Sequence, residues 1–74
     1  MTNNCPKGFI ELHFNTGKSV LINVNMISFI ADTNEENKSN NRNCHILPIG
    51  HNNGGFYVKE TYNTVIKAIK NTIE

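Results

Sequence analysis

The apolar residues of this 74-residue chain change their spacing at Thr61. Up to Lys59 they fall in short strand-like runs, with the period-two repeat clearest at Ile10, Leu12 and Phe14. Beyond Thr61 the spacing is helical. Tyr62, Val65, Ile66, Ile69 and Ile73 fall at i, i+3, i+4, i+7 and i+11, one stripe along a helix, while Asn63, Lys67 and Lys70 face outward. Thr61 suits the N-cap, and Lys70 suits the negative end of the helix. A helix of roughly 13 residues is marginal by itself, so it must lie on the strands that precede it.

Those strands can be placed from their turns. In FIELHF, Ile10, Leu12 and Phe14 alternate with Phe9, Glu11 and His13. The turn NTGK follows, with Gly17 free to take a positive φ, and SVLIN (Ser19 to Asn23) returns as the second strand of a hairpin. A short turn at Val24 to Met26 leads into a third strand from Ile27 to Ala31, where β-branched and aromatic residues concentrate. Residues 33–43, TNEENKSNNRN, hold no apolar side chain and five asparagines, which predicts a solvated polar loop. CHILPIG reads as a fourth strand that lies at an edge, or ends or bulges near Pro48, because proline cannot donate to a ladder. In HNNGG, Asn53-Gly54 fits a type I′ hairpin turn, and Gly55 to Lys59 follow as a fifth strand. The expected fold is α+β: a mainly antiparallel sheet of four to five strands, in the order hairpin, strand, hairpin, with one C-terminal amphipathic helix packed on it. Residues 1–8, broken by Pro6 and Gly8, read as a flexible N-terminal tail, and residues 9–74 as one small domain.

Composition limits what such a domain does. A chain of this length buries only about 60% of the surface its unfolded form exposes, so small domains often lean on a metal, a disulfide or a partner. Seven basic and six acidic residues leave a net charge of +1, which disfavours a purely electrostatic nucleic-acid binder. Fourteen asparagines carry much of the polarity and point to turns and caps. Asn, Lys and Ile have AT-rich codons, which suggests a bacterial or phage genome. Two cysteines make no secreted disulfide framework, no apolar run approaches the ~20 residues of a membrane span, and MTNNCPKGF lacks the pattern of a signal peptide. A cytoplasmic protein with reduced thiols and no membrane association is the expectation.

The order of strand, NTGK turn, VLIN-x-NMI, strand and a hairpin closing in VKET-x-x-x-V resembles the small FlbD-like flagellar and swarming-motility family. The matching positions are Asn15 to Lys18, Ile22 to Ile27 and Val58 to Thr61, within a similarity spanning about Phe9 to Ile73. The resemblance implies an accessory or regulatory protein without known catalytic residues. It transfers no functional residue, since the matching positions are structural.

The residues themselves offer several chemistries. Cys5, His13, Cys44, His45 and His51 are the candidate metal ligands. Their spacing lacks the close pairs of structural zinc sites, and neighbours such as Cys44 and His45 point to opposite faces of a strand. The same geometry denies a Cys–His catalytic pair. HNNGG precedes a strand rather than a helix and so lacks the amide geometry of a phosphate loop. No catalytic, cofactor or metal residue is therefore assigned. A nucleic-acid surface could draw on Lys18, Arg42 and Lys59, with Phe or Tyr rings to stack bases. The favoured expectation is association. One helix covers one face of a sheet, yet the strands carry apolar residues on both, so Leu21, Phe29, Leu47 and Tyr57 are expected to face a partner. The chain reads as a non-enzymatic, self-associating protein-interaction module, with a small DNA- or RNA-binding regulator as the alternative.

Overall fold

The computed structural model describes residues 6–50 and 54–73. Strands β1 (Phe9–His13) and β2 (Ser19–Asn23) form an antiparallel hairpin, with Ile10 opposite Ile22 and Leu12 opposite Val20. The alternation read from the sequence puts these four side chains on the inner face. The turn closes through the Phe14 N–H to the Lys18 carbonyl and the Gly17 N–H to the Phe14 carbonyl, both 2.8 Å, with Gly17 at φ 98°. A single 3₁₀ turn, Val24–Met26, is capped by the Asn23 side chain, which accepts the Asn25 N–H at 3.0 Å. It hands the chain to β3 (Ile27–Asp32).

Strand β3 pairs with β4 (Cys44–Pro48), and β4 pairs with β5 (Phe56–Val58), all antiparallel. Pro48 ends β4 opposite Ile27, and the register shifts between Ile27 and Phe29 on the facing strand. The irregularity expected around the proline thus falls on its neighbour. Asn53 of the expected hairpin turn lies outside the described residues. Gly54 and Gly55 have φ of 80° and 81°.

The single four- to five-stranded sheet expected from the sequence is corrected to two sheets, β1-β2 and β3-β4-β5. The cause is the brevity of β5, expected over Gly55 to Lys59 but confined to Phe56–Val58. Two left-handed glycines precede it, and the chain bends at Lys59 and Glu60 toward the final helix. Strand β1 is bonded to the segment just beyond β5, where the Lys59 N–H donates to the His13 carbonyl at 2.8 Å. An edge-to-face contact between Phe14 and Phe56, ring centres 5.6 Å apart, closes the same corner.

The polar segment 33–43 is also more ordered in conformation than a plain loop. It contains one helical turn, α1 (Glu35–Lys38), with Asn34 capping the Asn37 N–H at 2.9 Å and Glu35 and Glu36 in the first turn. The Lys38 ammonium donates to Asp32 Oδ1 at 2.6 Å and to the Thr33 carbonyl at 2.5 Å. That hydrogen bond, together with the Thr33 N–H, lowers the Asp32 carboxyl from its usual range. The Thr33 hydroxyl donates to the Arg42 carbonyl at 2.7 Å and ties the segment shut. Local side-chain to backbone bonds, not apolar burial, hold this turn.

The final helix, α2 (Tyr62–Ile73), begins as its spacing predicts, with Thr61 Oγ1 accepting the Thr64 N–H at 3.2 Å. Its buried stripe is rotated from the expected one. Val65 is fully buried and Ala68 and Ile69 pack on the core, whereas Tyr62 is 36% and Ile73 60% exposed. Thr72 completes the inward row. Its hydroxyl accepts the Gly8 N–H at 2.8 Å and donates to the Phe9 carbonyl at 3.4 Å. Pro6 to Gly8, expected within a flexible tail, form a turn closed by the Phe9 N–H on the Pro6 carbonyl at 3.0 Å. Residues 1–5 of that expected tail lie outside the described residues. The core unites Ile10, Leu12 and Ile22 of one sheet with Cys44, Ile46 and Val58 of the other beneath Val65. Among the described residues no helix is long and apolar enough to cross a membrane.

Candidate interaction surface

Strand alternation sorts the β3-β4-β5 sheet into two faces. Cys44, Ile46 and Val58 enter the core, so their neighbours His45, Leu47 and Tyr57 face away from it. The register adds Ala31, opposite His45, and Phe29, opposite Leu47. His45 stacks on Tyr57 with ring centres 4.7 Å apart and planes 25° from parallel. Phe29 meets the other side of His45 edge-on at 6.1 Å. His45 Nε2 also donates to the Gly54 carbonyl. The result is a row of three rings across the sheet, with Leu47 beside it. Phe29 is 47% exposed, and His45, Leu47 and Tyr57 are half-buried. Exposed Met26 and Ile49 extend the apolar surface at the end of the β3-β4 pair, where the Ile49 N–H donates to the Met26 carbonyl at 2.7 Å.

Of the four residues assigned to an interface from sequence, Phe29, Leu47 and Tyr57 share this face. Leu21 does not. It is half-exposed on the β1-β2 sheet, opposite Glu11. His45 was missed as a member of the surface, although its parity with Leu47 carried the signal. In the sequence it stands as a ligand candidate, and its use as an aromatic spacer between two rings becomes visible only with the strand register.

The three cations of the nucleic-acid alternative sit on segments that meet at one end of the molecule. Lys18 belongs to the turn whose Asn15 contacts the Asn40 carbonyl at 3.5 Å. Arg42 follows two residues later, and Asn43 Nδ2 donates to the Lys59 carbonyl at 2.6 Å. Asp32, Glu35 and Glu36 lie on the same polar segment or at its border, so the local charge is mixed.

The candidate ligands disperse. His13 Nδ1 pairs with Glu60 Oε2 at 2.7 Å, and the His13 N–H donates to Glu60 Oε1 at 2.9 Å. One carboxylate thereby grips both the ring and the backbone of β1 from the segment that follows β5. Cys44 is fully buried in the core on the face opposite His45. Burial, aided by the Asp32 charge, pushes its thiol up to about 11. Among the described residues no cluster of three or more His, Cys, Asp or Glu side chains is placed to hold a metal ion, and Cys5 and His51 lie outside them.

Neither a protein-family model, nor a curated protein, nor a solved structure matches the chain.

Proposed function

We propose that this protein is a small, non-enzymatic accessory or regulatory module that associates with a second copy of itself through the Phe29-His45-Tyr57 row. The observation that carries the reading is that row of rings, with Leu47, on the sheet face turned away from α2. Rings of this kind, held in place by strand register, dominate interface energetics because they offer area at little entropic cost. A second copy is the favoured occupant because the face is apolar and aromatic, and because a chain of net charge +1 meets little Coulomb repulsion on self-association. The thin core gives the same chain a reason to bury more surface. A non-enzymatic role agrees with the Cys44 thiol, which is kept protonated in the core, away from the His45 ring. A cytoplasmic setting and an accessory role like that implied by the FlbD-like resemblance are part of this proposal.

Light scattering and sedimentation over a concentration series test it. Mass should rise toward a dimer in the micromolar range, and the paired change Phe29→Ser with Tyr57→Ser should return the protein to a monomer with its fold intact. A wild-type chain that stays monomeric at the highest attainable concentration overturns the reading. A second reading rests on the convergence of Lys18, Arg42 and Lys59 at one end. In that case the stacked rings and the cations would hold single-stranded nucleic acid. Titration with unstructured RNA and DNA at low salt separates the two. Tight, salt-sensitive binding that is lost on changing the three cations to alanine would replace the first reading with the second.

A further inference from the structure

The other sheet leaves one edge of β1 turned away from β2. The Phe14 N–H bonds the Lys18 carbonyl at 2.8 Å and the Val24 N–H bonds the Gly8 carbonyl at 2.9 Å. The register between these points is unbroken, so the even-numbered residues of β1 turn their backbone groups to β2. The odd-numbered ones turn away. The Phe9 carbonyl accordingly meets Thr72, the His13 N–H meets Glu60, and the His13 carbonyl meets Lys59. Glu11 stands midway between them with its N–H and C=O aimed at the same side. Among the described residues neither group has a partner there. In front of it opens a groove of about 400 Å³ between β1 and α2, lined by Lys7, Phe9, Glu11, Ala68, Asn71 and Thr72 among others.

We infer that this edge takes an extended, basic peptide segment of a partner protein, added as a strand at Glu11. A free N–H and C=O on one strand residue are complementary to one residue of an extended chain, which pairs through two hydrogen bonds. The flanking positions are already closed by Thr72 and by Glu60, so the groove admits a short segment rather than a long strand. A second copy pairing β1 with β1 about this point sets Glu11 opposite Glu11, an unfavourable like-charge pair. A lysine or arginine at that cross-strand position is instead attracted to the exposed Glu11 carboxylate. The alternate residues of the peptide face Ala68 and are small and apolar.

The probe is a blocked heptapeptide, Thr-Val-Lys-Val-Lys-Val-Thr, set against the same peptide with glutamate in place of lysine. Amide signals followed by nuclear magnetic resonance in the full chain should shift at Lys7, Glu11 and Asn71, and the glutamate peptide should bind at least about threefold more weakly. Glu11→Pro removes the outward N–H while leaving every β1-β2 bond in place, and proline is tolerated where an edge N–H faces solvent. Unchanged shifts of the β2 amides report that this variant folds. It should lose binding, and Glu11→Gln should keep most of it. Asn71→Trp, at an exposed helix position, fills the groove and should also abolish binding, which preserves the test should the proline variant unfold. The inference is overturned by no response to the lysine peptide. Equal binding of the two peptides, or full binding by a folded Glu11→Pro or Asn71→Trp variant, also overturns it. None of these changes touches the Phe29 face, so failure here leaves the self-association reading standing.

Discussion

Gly54 and Gly55 share a left-handed backbone but not the same surroundings. A Cβ on Gly54 meets open space, while one on Gly55 collides with the Ile46 carbonyl. Gly54→Ala should cost about 1–2 kcal/mol, the ordinary penalty of a left-handed alanine. Gly55→Ala should cost clearly more, because β5 must also move off β4; urea midpoints of the two variants measure the difference. Cys44 gives a second residue-scale prediction. Its thiol is raised in the folded chain, so its contribution to stability is fully present below pH 9 and fades as pH rises toward about 11. In a Cys5→Ser background, urea midpoints should fall across that window, and the further change Cys44→Ala should remove that part of the fall. The same background should show slow reaction with a thiol reagent at pH 8 until urea is added.

The helix α2 illustrates what an element's sequence does and does not disclose. Its existence, its start at Thr61 and its amphipathic character follow from spacing alone. Which of two overlapping stripes turns inward does not. Val65 and Ile69 belong to both, and the choice was made by Ala68 and Thr72, small residues that let the helix approach β1. Val65→Ala should therefore cost about 2 kcal/mol or more, from lost apolar burial and the cavity left behind. Tyr62→Ser should stay within about 0.5 kcal/mol. Chemical denaturation of both checks the rotation, and equal losses would contradict it. The β1-β2 hairpin and the 3₁₀ turn were legible because alternation, Gly17 and the Asn23 cap are all local. The turn α1 was missed although Asn34 followed by two glutamates announced a cap. The absence of any apolar residue outweighed that signal, and here side-chain hydrogen bonds take over the role of burial.

On the scale of the molecule, the sequence pointed to strands that pair in order and to a face left uncovered, but not to the break between two sheets. The break depends on where β5 starts and stops: Gly55 lies against Ile46 just before it, and Glu60 reaches back to His13 just after it. Neither contact has a signature in local spacing. The candidate surface was half legible for the same reason. Parity placed Phe29, Leu47 and Tyr57, whereas the exclusion of Leu21 and the inclusion of His45 needed the register across strands. With α2 packed on one face, the ring row lies on the other, where Phe29 stays 47% exposed, and the proposed self-association is read most directly from the concentration series.

Thr72 brings the beginning and the end of the fold within one hydroxyl of each other, since it bonds both Gly8 and Phe9. A fold whose first and last described segments lie side by side is suited to circular permutation. Joining Ile73 to Pro6 with a short glycine-serine linker and reopening the backbone between Asn40 and Asn41 should preserve all three strand pairings. Such a permutant should fold with an unchanged far-ultraviolet spectrum.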